Sequence, residues 1–115
     1  MISAEEVTRL ALSLPDARAE PHFDRVAFKA RITFATLAPD GRSVNLKFAP
    51  EHQAFKVMMA PAVFQPVPGG WGRMGWTVMD LDAATPAEAE AALREAHALA
   101  GPKPRSAKSR RRPEA

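Results

Sequence analysis

The sequence predicts an α+β fold, with helices packed on one face of a mainly antiparallel sheet. Three observations carry this. Helical and strand patterns follow one another in the order α-β-β-β-α-β-β-α. The first three strands are joined by short turns, which makes an antiparallel meander. A chain of 115 residues with 46% hydrophobic content can build one packed core, and two are too many for its length.

The first helix is signalled by Ser3 and Glu6 at capping-box spacing, with Ile2 and Val7 at the staple positions around the cap. Val7, Leu10, Ala11 and Leu14 recur at helical spacing, and Pro15 ends the helix. Residues 16–22 are polar and contain Pro21, so they read as a loop. Phe23 to Lys29 reads as a strand, with Val26 and Phe28 alternating against Arg25, Ala27 and Lys29. A tight connection near Ala30 leads to Ile32–Leu37, rich in β-branched and aromatic residues. Pro39-Asp40-Gly41-Arg42 signals a turn. The third strand, Ser43 to Phe48, places Val44, Leu46 and Phe48 on one face and Asn45 and Lys47 on the other.

Pro50 suits the first position of a second helix, where its missing N–H costs nothing. That helix runs to about Met59, with Phe55, Met58 and Met59 expected on its apolar side. The prolines and glycines of residues 61–70 allow only a short edge strand. Gly70 to Gly75 reads as an exposed loop, and Trp76 to Leu81 as the last strand. The last helix carries a second capping box, Thr85 with Glu88, and Pro86 at its first position. Its buried stripe is Ala89, Ala92, Leu93, Ala96 and Ala100, with Gly101 and Pro102 as the stop. Residues 1–101 thus form one domain, and residues 102–115 a basic tail with no apolar periodicity, expected to be disordered.

Taken together and in order, three segments resemble the MmcQ/YjbR-like proteins. They are Val26-Ala27-Phe28-Lys29 with Phe34-Ala35; Val44-Asn45-Leu46-Lys47-Phe48-Ala49-Pro50-Glu51; and the Gly-rich loop before Trp76, followed by Thr77-Val78 and Asp80-Leu81. The resemblance spans roughly residues 4–100 and leaves the tail outside. It implies the same order of elements. It also implies association with DNA, since members of that family are often labelled DNA-binding, and it brings no catalytic residue. Many members carry a Gly-Lys turn between the first two strands, where this chain has Lys29-Ala30-Arg31.

Charge divides the chain unequally. The net charge is +3, yet residues 102–115 hold six of the 16 cations and one of the 13 acids. Residues 1–101 therefore carry ten cations against twelve acids, a net of −2. The six tail cations, Lys103, Arg105, Lys108, Arg110, Arg111 and Arg112, would attract phosphates by counterion release. A solvated tail that aids solubility is the plainer account of them. Arg25, Lys29 and Lys47 lie on the polar side of neighbouring strands, where they would make either a basic sheet face or an ordinary charged surface. Trp76 is expected to pack in the core. Trp71 stands among glycines beside Arg73, as either a stacking residue or a cover over the sheet edge.

His22 and Asp24, at i and i+2, would share one face of a strand and so allow a metal or general-base role; a bland surface pair is the simpler reading. His52 and His97 lie on the second and last helices. There is no cysteine, no phosphate-cradling glycine loop and no nucleophile elbow. The expectation is a protein without catalytic residues, metal or cofactor. No stretch is apolar enough to cross a membrane, and Met1–Glu6 is acidic rather than signal-like, so a cytoplasmic location is expected. A monomer is preferred, with the oligomeric state open. The favoured function is nucleic-acid (DNA) binding through the tail and the Trp71–Arg73 loop. The alternative is a protein- or small-molecule-binding module, its surface lying between Phe64 and Trp76.

Overall fold

A computed structural model describes residues 1–100, and the segment expected to form the basic tail lies outside the described residues. The elements are α1 (Ala4–Leu12), β1 (Arg18–His22), β2 (Arg25–Lys29), β3 (Thr33–Leu37), β4 (Ser43–Lys47), α2 (Pro50–Met59), β5 (Phe64–Pro66), α3 (Gly70–Arg73), β6 (Trp76–Asp80) and α4 (Pro86–Ala100). The six strands form one antiparallel sheet in the order β1-β2-β3-β4-β6-β5. The α+β architecture is as predicted, with two additions.

The first addition is β1, where a loop was expected. Its side chains are exposed on both faces but for Glu20, so it carries no hydrophobic alternation to detect. Pro21 is tolerated because β1 is an edge strand. The second is α3, a single helical turn within the expected Gly70–Gly75 loop.

Register divides the sheet into two faces. Toward the helices run Phe28, Ala35, Leu46 and Thr77 in one row, and Leu37, Val44, Met79 and Phe64 in the next. All but the half-buried Leu37 are buried, and α1 and α4 close over them. Between Phe28 and Lys29 the register slips by one residue, so Phe34 is the extra residue of a bulge. Phe34 is fully buried and meets the His97 ring edge-on at 5.3 Å. His97 is itself buried, and its Nε2–H donates to the Pro15 carbonyl at 2.8 Å.

Both capping boxes form. Glu6 N–H donates to Ser3 Oγ at 3.1 Å and Ser3 N–H to Glu6 Oε1 at 3.1 Å; Thr85 and Glu88 repeat the pattern. The hydrogen bond from the Ser3 backbone, then that from its hydroxyl, holds the Glu6 carboxyl below the ordinary carboxylate range. A lowered folded value means that Glu6 supports the helix fully above the unfolded-state pKa. That support is lost as pH falls through the folded value. Replacing Ser3 by Ala is expected to cost about 0.5–2 kcal/mol, read as a lowered urea midpoint, and an NMR titration of Glu6 in the variant should show its pKa rising only in part, because the backbone N–H that is the larger cause remains.

Helix α2 has the predicted boundaries but the opposite orientation. Phe55, Met58 and Met59, expected on its apolar side, are 56%, 67% and 64% exposed. The inward stripe is His52, Gln53, Lys56 and Val57. Each polar member of it has a partner. Gln53 Nε2 donates to the carbonyls of Gly72 and Trp76, both at 3.0 Å. Lys56 Nζ lies 2.7 Å from Glu95 and above the rings of Phe48 and Phe64. His52 Nε2 lies 3.5 Å from Glu95. Satisfied polar groups can line a packed surface, and here they join α2 to α4 and to the Trp71–Trp76 segment.

Candidate functional site

The second face of the sheet lies opposite α1 and α4. A single row crosses all six strands there: Glu20, Ala27, Thr36, Asn45, Val78 and Gln65. Its central members are small or short. Larger residues stand around them, with His22 opposite Arg25 on β1–β2 and Lys47 opposite Trp76 on β4–β6. A short floor with a tall rim makes a concavity, and one of about 180 Å³ is lined by His22, Arg25, Thr36, Asn45, Val67, Trp71 and Trp76.

Trp76 corrects the expectation of a core residue. Along β6 it is Thr77 and Met79 that are buried, and Trp76 and Val78 that face the open side. Register decides this: Thr77 pairs with Leu46 and Met79 with Val44, both core residues. Trp71 is 62% exposed and meets Trp76 edge-to-face, with ring centroids 6.5 Å apart at 77°.

Two glycines press these indoles into place. A Cβ on Gly72 would collide with the Val67 carbonyl, so only glycine lets the α3 turn sit against that segment. Gly75, at φ +105°, lies as close to the Phe48 carbonyl. Gln53 then ties the Gly72 and Trp76 carbonyls to α2. Sequence reasoning missed Gln53, Thr36 and Val67 as parts of the site. For Thr36 the signal would have been its alternation with Leu37. For Gln53 there was none, since a glutamine on a helix ordinarily faces water.

Of the expected basic residues, the open face gathers three. Arg25 lies across the floor, its Nε donating to Thr36 Oγ1 at 2.9 Å and its Nη2 to the Thr36 carbonyl at 3.0 Å. Lys29 is 3.5 Å from Glu20, which also pairs with Arg18 at 2.9 Å. The hydrogen bond from Arg18 is the main cause that lowers the Glu20 carboxyl below its ordinary range, with Lys29 adding to it. Lys47 is half-buried beside Trp76. Arg73 is exposed but lines a different, shallower groove of about 420 Å³ with Gln53, Pro66 and Pro68. Trp71 and Arg73, neighbours in sequence, thus serve two separate concavities.

The acids are spread between the helices and the sheet. Six of the twelve in residues 1–101, Glu5, Glu6, Glu51, Glu88, Glu90 and Glu95, lie on the helices. Asp40, Asp80 and Asp82 cluster with Arg42 and Ser43 at one end of the sheet. Among strand residues facing the open side, Glu20 and Asp80 are the acids against Arg18, Arg25, Lys29 and Lys47, with Asp80 at the far end of β6 from Trp76.

The histidine–carboxylate idea does not survive the turn between its members. His22 ends β1 and Asp24 lies in the hairpin turn, with Phe23 at φ +57° between them, so they do not share a strand face. Among the described residues no group of three or more His, Cys, Asp or Glu is placed to hold a metal ion, and no helix is long and apolar enough to cross a membrane.

Comparison with known proteins bears on the whole domain. No curated protein matches the chain. A solved structure, that of the Deinococcus radiodurans protein DR2400, described as carrying a DUF419 domain, is similar in fold, with a TM-score of 0.74 and 18% identity. The match covers 86% of this chain and 78% of that one. At that identity the likeness speaks for the fold, but a model of the family described as YjbR also matches residues 12–99, most of the chain, and the protein belongs to the YjbR family.

Proposed function

We propose that this protein binds nucleic acid by taking an unpaired base onto the open face of its sheet, without covalent chemistry. DNA is the first ligand to test. The observation that carries the reading is the concavity in which Trp71 and Trp76 stand edge-to-face over a floor of Thr36 and Asn45, with Arg25 lying across that floor. An indole face accepts any base by stacking. The Asn45 side chain offers a donor and an acceptor together, which suits a base edge. A volume of about 180 Å³ falls below the ~300–1,000 Å³ of pockets that enclose a drug-sized molecule, so a single planar ring fits better than a whole cofactor. The excess of cations on this face, and the six tail cations, supply attraction for phosphates.

The test is a titration of the full chain with labelled single-stranded and duplex DNA over a salt series, read by anisotropy and Trp fluorescence. Single strands are expected to bind more tightly and to quench the tryptophans. Replacing Trp71 by Ala should weaken single-strand binding roughly 5- to 150-fold, corresponding to the ~1–3 kcal/mol of one stacked base. No binding at low salt, or full affinity in the variant, overturns the reading.

A second reading, a protein-binding module, is favoured by the outward apolar face of α2 formed by Phe55, Met58 and Met59. It expects the fluorescence of both tryptophans to stay flat as DNA is added.

A further inference from the structure

Phe23 has no structural reason to be a phenylalanine. His22 pairs with Arg25, which leaves Phe23 and Asp24 as a two-residue hairpin loop. Phe23 has φ +57° and Asp24 is not among the residues of positive φ. That is the pattern of a type II′ turn, whose first loop position ordinarily takes glycine. A bulky residue held in the left-handed region is strained. The strain gains no burial in return, because Phe23 is 97% exposed.

What the ring does have is a place beside the site. It meets the His22 ring edge-on, with centroids 5.0 Å apart at 71°. His22 in turn lines the concavity with Trp71 and Trp76. The β1–β2 turn thus holds an exposed aromatic ring next to the rim where the base would sit. Backbone strain with a fully exposed aromatic at its centre is the arrangement expected where a partner, not the fold, uses the side chain.

We propose that Phe23 is a second stacking residue, taking the base adjacent to the one held by Trp71 and Trp76, so that the ligand is a single strand of at least two nucleotides. This rests on the reading of the open face as a base-binding surface. Successive aromatic rings with basic residues between them follow a single strand without demanding its sequence. Arg25, which directly follows the turn, is placed to meet the phosphate linking the two bases.

The experiment compares the wild-type chain with Phe23→Gly and Phe23→Leu, using an eight-nucleotide oligothymidylate and thymidine monophosphate as probes. Glycine relieves the positive φ, so the Phe23→Gly chain should unfold at a urea concentration equal to or above that of the wild type. Its affinity for the oligonucleotide should fall roughly 5- to 150-fold, the loss of one stacked base. Its affinity for the mononucleotide, which occupies the tryptophan subsite alone, should stay unchanged. Phe23→Leu keeps an apolar side chain but no ring, and should lose affinity as the glycine variant does. Oligonucleotide affinity unaltered in Phe23→Gly overturns the role of Phe23 while leaving the tryptophan site standing. A wild-type chain that binds neither probe overturns both, and Trp71→Ala binding both probes as the wild type does locates the failure in the open-face reading itself.

Discussion

A chain carrying Gly75→Ala is expected to lose about 2–6 kcal/mol of stability, out of the ~5–15 kcal/mol that a domain of this size ordinarily has. Two costs combine. At φ +105° an alanine is strained by about 1–3 kcal/mol. Its Cβ would also overlap the Phe48 carbonyl, and overpacking of this kind adds about 1–3 kcal/mol. Neither backbone can withdraw freely, because Phe48 N–H donates to the Gly75 carbonyl at 3.1 Å and Thr77 Oγ1 donates to the same oxygen at 3.0 Å. Gly69→Ala is the control. Gly69 also has positive φ, +82°, but no atom lies within 4 Å of where its Cβ would be. It should show the conformational cost alone. Urea unfolding of the two variants separates the terms, and equal losses in both would refute the close approach at Gly75. Near-UV circular dichroism should change in Gly75→Ala only, since Gly75 directly precedes Trp76.

The parts of this fold that were legible in the sequence are those specified by neighbours in the chain. Ser3 with Glu6, Thr85 with Glu88, Pro50, and Asp40-Gly41 each act over a few residues, and each stands where local chemistry predicts. The alternation of Val44, Leu46 and Phe48 also reads directly, because β4 is central and has one buried face. Strand β1 escapes such reading because an edge strand exposed on both sides has no period. Trp76 misleads because its hydrophobicity ranks it above Thr77 for burial, yet the pairing of β6 with β4 chooses Thr77. The candidate site is harder still. Arg25, Lys47 and Trp71 are each recognisable as polar-side or exposed residues. Their convergence depends on β6 inserting between β4 and β5, and no local pattern encodes that crossover.

Helix α2 gives the same lesson in a form that stability measurements can decide. Phe48 and Phe55 lie seven residues apart, and hydrophobicity alone assigns both to the core. In the structure Phe48 is 1% exposed and Phe55 56%. Phe48 packs against Phe64 at 6.4 Å and His52 at 5.1 Å, with the Lys56 ammonium 5.6 Å from its ring centre. Phe48→Ala would empty that space and deprive Lys56 of one of its two aromatic faces, which places the expected loss at about 3–5 kcal/mol. Phe55→Ala removes a ring that mostly meets solvent and should fall within about 0.5 kcal/mol of the wild type. The mechanism is the inverted orientation of α2. Its inward stripe is polar because each polar group is matched, Gln53 by two carbonyls and Lys56 by Glu95. An apolar outer face is then compatible with a well-packed inner one. Urea midpoints that fall equally in the two variants would turn the helix over, bringing Phe55 inward and releasing Gln53 from Gly72 and Trp76. The site would then lose the contact that holds its tryptophan segment to the rest of the domain.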